Sequence, residues 1–137
     1  TIAGEGIDLS AISVPSFFLS ARQDHIAKWK TTYRGAGVYG GDVRFVLSGS
    51  GHIAGVINPP YKEKYGYWTN NQLPGSPDDW FDSAEHHPGS WWPHWREWLA
   101  TFEGEQVQPR QPGEGPLEAI EDAPGSYVKV KASEAGG

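Results

Sequence analysis

The chain has 137 residues, 37% of them hydrophobic, enough for one domain with an ordinary core. Its formal net charge of −6 comes from 17 acidic and 11 scattered basic residues, which argues against a phosphate-tracking surface and so against nucleic acid as a partner. No apolar run approaches the roughly 20 residues that span a bilayer and no signal segment opens the chain, so it reads as soluble and cytoplasmic. Zero Cys excludes disulfides and thiolate metal sites without deciding the compartment.

Residues 12–19 carry Ile12, Val14, Phe17, Phe18 and Leu19, the pattern of a strand buried on both faces with Pro15 near its start. From Asp24 the period changes. Ile26, Trp29 and Tyr33 share one helical stripe, and Gly35 and Gly37 offer a stop. Residues 43–47 then predict a second strand, and a strand, helix, strand succession implies a crossover with parallel pairing. The stretch 61–80 is rich in Tyr and turn formers, with Pro74, Gly75 and Pro77 preventing a long helix, and residues 78–87 suggest a short acidic helix. Ser90 can cap a helix with Pro93 in its first turn and Trp91, Trp95 and Trp98 on one face, a stripe expected to lie against a core; Trp92 falls off that stripe. Beyond residue 103 the chain turns rich in Pro and Gly, an extended tail over 104–137 in which only residues 126–132 alternate like a strand.

Two parallel strands with helices upon them cannot cover both faces and both edges of a sheet. Together with the absence of Met, this suggests a C-terminal piece of a larger α/β protein, incomplete as an isolated domain.

Asp24 lies just past the first predicted strand and His52 just past the second. In a parallel sheet those ends are neighbours, and reacting groups gather outside the carboxyl ends of such strands. An acid holding one imidazole nitrogen leaves the other to take a proton from a nucleophile. Gly49, Gly51 and Gly55 would let the loop bring His52 in closely. Acid before histidine, both after the nucleophile, is the chain order of α/β-hydrolases, so the nucleophile would lie upstream of Thr1.

Each residue also has a plainer reading. Asp24 ahead of a helical stripe makes a good N-cap, His52 can be a loop histidine satisfied by backbone, and His25 reads as structural or as support for the site. Gly49-Ser-Gly-His-Ile-Ala54 matches a dinucleotide fingerprint, but Pro59 and Pro60 interrupt the helix that the motif must open. Asp79, Asp82, Glu85, His86, His87 and His94 match no strong metal-ligand spacing, so no metal is expected there.

The stretches DHI at 24–26 with Trp29, FVLSGSGHIAGVINPP at 45–60, Lys64 with YW at 67–68, GSWWPHWREWL at 89–99 and APGSYVKVKA at 123–132 together resemble the C-terminal region of poly(3-hydroxyalkanoate) synthases of the class I, short-side-chain type. The resemblance runs from about Val14 to Ala132. It departs at Ala27 and Lys28, where relatives often place a proline before the tryptophan. It implies the C-terminal part of an α/β-hydrolase-type catalytic domain over 1–103 and a natural C-terminal tail over 104–137. By resemblance, Asp24 is the acid and His52 the base of a Cys-His-Asp triad, whose cysteine sits in a Gly-x-Cys-x-Gly turn that this chain does not contain. The implied activity is transfer of 3-hydroxyacyl groups from coenzyme A thioesters to a growing polyester, without metal or redox cofactor. The implied partners are 3-hydroxyacyl-CoA, the polymer chain, the granule surface and a second copy in a homodimer, with a cytoplasmic location at polyester granules. An α/β-hydrolase acting on esters or thioesters, a polyester depolymerase among them, and a noncatalytic granule-binding module are the alternatives.

Overall fold

A computed structural model describes residues 1–134 as parts of two compact units, Thr1–Glu103 and Gly104–Gly137. The first is a small α/β unit built on a mixed four-stranded sheet. Strand β1 (Ser16–Ala21) pairs in parallel with β2 (Val43–Ser48), with Ser16 opposite Val43 and Ala21 opposite Ser48. The predicted parallel pair is therefore present, but β1 begins after Pro15, whose ring cannot donate to the ladder. It is half-buried over Ser16–Leu19 and closes over only at Ser20 and Ala21, because it stands at the sheet edge.

The helix between these strands, α1 (Trp29–Ala36), starts later than the apolar stripe suggests. Asp24 does not cap it. Its carboxylate accepts the Ile26 and Ala27 amides in a local turn, which leaves Ile26 exposed and the helix starting at Trp29 with no side-chain cap. Gly37 ends α1, its N–H donating to Tyr33 O.

The expectation of a wholly parallel sheet is corrected by two strands of three residues each. β3 (Tyr67–Thr69) pairs antiparallel with β2, and β4 (Glu85–His87) pairs antiparallel with β3. The predicted acidic helix over 78–87 divides accordingly. Its first part is α2 (Pro77–Asp82), capped by the Ser76 hydroxyl on the Asp78 and Asp79 amides, and its end is β4. Backbone pairing to an existing edge overrides the weak local preference of Glu85, His86 and His87.

The core lies on one face of the sheet, where Phe45 and Leu47 of β2 meet Tyr33 and Ala36 of α1 and Trp80 of α2. Trp80 is fully buried at the centre, with ring centroids 5.1 Å from Phe45, 5.7 Å from Tyr33 and 6.2 Å from Trp29. Burying each such side chain contributes about 1.5–3 kcal/mol. The other face is covered by α3 (Trp92–Ala100), through Trp91, His94 and Trp98 against Phe17. The predicted tryptophan stripe is only partly inside, since Trp91 is buried and Trp95 is exposed. No described helix is long and apolar enough to cross a membrane.

In the second unit the only described regular element is a 3-10 turn at Tyr127–Lys129, where the alternation over 126–132 had suggested a strand. Its side chains are solvated, so alternation finds no partner strand to reward it.

Candidate active site

The carboxyl ends of β1 and β2 lie side by side because Ala21 pairs with Ser48. The ladder continues beyond them as Arg22 N–H donates to Ser48 O and Gln23 N–H to Ser50 O, both at 2.8 Å. Asp24 follows immediately, while on the neighbouring segment Ser50 takes a left-handed φ of 69° and turns the chain toward His52. The two predicted residues meet, with Nδ1 of His52 2.8 Å from Oδ2 of Asp24.

The carboxylate is held independently of the imidazole. Its Oδ1 accepts from Ile26 N–H at 2.8 Å and Ala27 N–H at 2.9 Å, leaving Oδ2 to His52. The His52 hydrogen bond above all, with further help from the Ala27 and Ile26 amides, draws the Asp24 carboxyl from 3.8 down to about 2, although desolvation opposes it. An ionised carboxylate has no proton to give, so Nδ1–H of His52 is the donor. Nε2 is then the basic nitrogen, and it has no hydrogen bond among the described residues. The Asp24 side chain is 8% exposed and that of His52 45%, a covered acid behind an accessible base. Such a pair can take a proton from a group approaching Nε2 and return it, with Asp24 stabilising the imidazolium.

His52 rides on a turn closed by Gly55 N–H to Gly51 O and Ile57 N–H to Ile53 O. Gly55 is buried beneath it, and a Cβ there would lie 2.5 Å from Gly49 O and 2.9 Å from Ala21 Cβ. Gly51 meets nothing closer than Gln23 O at 3.9 Å, so the close approach expected of that glycine is not required. The turn does not extend into the helix that a dinucleotide motif needs, since Pro59 and a short 3-10 turn at Pro60–Lys62 follow.

His25, next to the acid, is exposed and makes no side-chain hydrogen bond among the described residues. Among the acidic and histidine residues of 79–94, His86, His87 and His94 serve local packing, while Asp79, Asp82 and Glu85 are exposed. His87 Nε2 lies 2.8 Å from Thr69 Oγ1, His86 packs on Trp68, and His94 packs on Phe17 and Tyr67, where burial pushes its pKa down. Among the described residues no group of three or more His, Cys, Asp or Glu is placed to hold a metal ion.

Two hollows border this region. One of about 430 Å³ has Asp24 in its wall, beside Trp29 and the cations Arg22, Lys28, Lys30 and Arg34. A larger one of about 640 Å³ runs along α3 past Pro60, Trp92 and Trp95, and neither Asp24 nor His52 borders it.

No family model matches the chain. Over 125 residues, 91% of its length, it is 49% identical to the poly(3-hydroxyalkanoate) polymerase subunit PhaC of Rhizobium etli, and over 133 residues, 96% of its length, 47% identical to that of Cupriavidus necator. The chain is homologous to the poly(3-hydroxyalkanoate) polymerases. It spans about a fifth of the length of these relatives, 20% of the first and 23% of the second.

In this polymerase homologue the sequence reading overlooked the residues that carry the far end of the His52 turn. Ser48 Oγ donates to Gly55 O, Ser90 Oγ donates to Asn58 O, and Trp91 and Trp92 both donate their indole N–H to Val56 O, at 3.1 and 3.0 Å. A signal was available. A turn ended by Pro59 and Pro60 leaves terminal carbonyls without intrahelical partners, and Ser90, Trp91 and Trp92 are three consecutive side-chain donors.

Proposed function

We propose that the chain is the C-terminal part of a poly(3-hydroxyalkanoate) polymerase of the short-side-chain type, with an α/β-hydrolase-type catalytic domain to which residues 1–103 contribute Asp24 and His52. The reading rests on one observation above the others: a covered carboxylate holds Nδ1 of an accessible imidazole at the carboxyl ends of two parallel strands, in a chain homologous to these polymerases. The polypeptide 104–137 is its tail.

In this reading the nucleophile is a cysteine thiol supplied from outside these residues. His52 Nε2 takes the thiol proton, and the thiolate attacks the carbonyl carbon of a 3-hydroxyacyl-CoA thioester. The tetrahedral intermediate collapses by breaking the bond to the coenzyme A sulfur, which leaves as the thiol with the proton from His52. A hydroxyl of a second acyl unit then loses its proton to Nε2 as its oxygen attacks the acyl-cysteine carbonyl. The C–S bond breaks, the cysteine sulfur takes back the proton, and the polyester is one unit longer. Asp24 keeps Nδ1–H oriented and stabilises the imidazolium in both halves. Neither half requires a metal or redox cofactor. Such an enzyme would work in the cytoplasm at the polyester granule, as a homodimer if the site needs two copies for chain growth.

The test is coenzyme A release from 3-hydroxybutyryl-CoA by the intact polymerase carrying this sequence and by its His52→Ala and Asp24→Asn forms. Loss of release in His52→Ala, with folding retained, is the expected result. Unchanged release in His52→Ala removes the proposed base.

A further inference from the structure

The two halves of the dyad are held by different means. Asp24 is fixed within its own turn by amides two and three residues away. The turn that carries His52 closes on itself and, among the described residues, is tied to β2 only where Ser48 Oγ donates to Gly55 O, and it ends at Asn58-Pro59-Pro60 with the later carbonyls of Val56 and Asn58 left to partners outside it. Those carbonyls are met by the segment that opens α3. Val56 O receives two indole N–H groups, from Trp91 and Trp92, as many as a carbonyl oxygen has lone pairs. Ser90 bridges the same two segments, since its hydroxyl donates to Asn58 O and accepts Trp92 N–H.

Trp91 has a second task in packing, being buried against Phe17. Trp92 has less of one. It is 39% exposed, stands off the α3 stripe and touches Trp91 at a centroid distance of 5.8 Å. A half-solvated tryptophan that aims its N–H at a carbonyl already holding one donor contributes little as core.

We propose that Trp92 is a positioning residue for His52, its indole N–H completing a double clamp on Val56 O that sets where the His52 turn stands relative to Asp24. The catalytic consequence rests on the acid–base reading above, whereas the geometry of the clamp does not. A turn released at one end can drift by a fraction of an ångström, and misplacement on the order of 1 Å costs a general base roughly a hundredfold in rate. With Trp91 still in place, the loss of one donor should cost less.

The experiment uses the intact polymerase with Trp92→Phe, which keeps an aromatic ring and removes the donor. The expected result is a fall in kcat of roughly tenfold with KM changed less than about twofold, a shifted acidic limb in the pH profile of kcat/KM, and loss or broadening of the low-field proton resonance of the His52–Asp24 hydrogen bond. Trp95→Phe is the control, since its indole N–H makes no hydrogen bond among the described residues, and it should leave all these readouts unchanged. Trp91→Phe removes the other donor on the same carbonyl and reads the same clamp should Trp92→Phe not fold. A folded Trp92→Phe enzyme that retains kcat, pH profile and the low-field resonance overturns the proposal. His52→Ala separates the two ideas: activity surviving in it defeats the acid–base reading alone, and the low-field resonance, compared between Trp92→Phe and the unsubstituted enzyme, still reports the clamp.

Discussion

Replacing Gly55 by Ala puts one methyl group under the His52 turn. Its Cβ would stand 2.5 Å from Gly49 O, where 3.4 Å is the start of ordinary contact, so the backbone must give by about 3.4 − 2.5 = 0.9 Å. Ala21 Cβ at 2.9 Å and Gly51 O at 3.0 Å block the neighbouring directions, and none of the three is the end of a flexible side chain. Overpacking of this kind costs about 1–3 kcal/mol. For a domain of about 100 residues, that lowers the melting temperature by roughly 4–8 °C per kcal/mol. The displaced atoms carry His52, so the low-field resonance of the Asp24 pair should weaken as well. Gly51→Ala, four positions earlier, is the internal comparison, because its Cβ meets only Gln23 O at 3.9 Å, and it should be neutral or slightly stabilising. The measurements are calorimetric melting and proton NMR on both variants. Equal melting temperatures with an intact resonance in Gly55→Ala would refute the claim that this glycine is there to admit the turn.

Asp24 titrates at about 2 in the folded protein against 3.8 ordinarily, so the stability linked to its ionisation is complete above about pH 4 and fades as the pH falls toward 2. Asp24→Asn should abolish that part of the acid dependence, and acid-unfolding curves of the two proteins should converge near pH 2; parallel curves would rule it out. Trp80→Ala empties the centre of the aromatic core, where the ring is fully buried among Tyr33, Phe45 and Trp29, and should cost about 3–5 kcal/mol in denaturant unfolding. A loss below about 1 kcal/mol would mean that the surrounding rings are not packed as described.

The parallel pair and the intervening helix were legible because their apolar residues run long enough for a period to show, over 16–21, 29–36 and 43–48. That topology brings Asp24 and His52 to one end of the sheet, while the left-handed Ser50 and the turn beyond it, which no period reveals, close the distance. The start of α1 was not legible, because Asp24 uses the Ile26 and Ala27 amides in a turn that resembles a cap in sequence and ends before the helix begins. β3 and β4 escaped notice for a different reason. Three residues are too few to display alternation, and Tyr67–Thr69 becomes a strand only because β2 offers an edge to pair with, as Glu85–His87 does because β3 then offers the next. The alternation over 126–132 errs in the opposite sense, a strand pattern without an edge beside it. Trp92 could not be placed by helical periodicity because its partner, Val56 O, is a backbone atom 36 positions away.

The unequal anchoring of the pair also orders its assembly during folding. The Asp24 turn closes over two or three residues and can form in microseconds or less, while the clamp on Val56 joins positions 35 and 36 apart and must wait for the chain to bring the start of α3 home. A partly collapsed molecule therefore has a settled carboxylate and a wandering imidazole, and the hydrogen-bonded pair is fixed only once that distant segment has arrived.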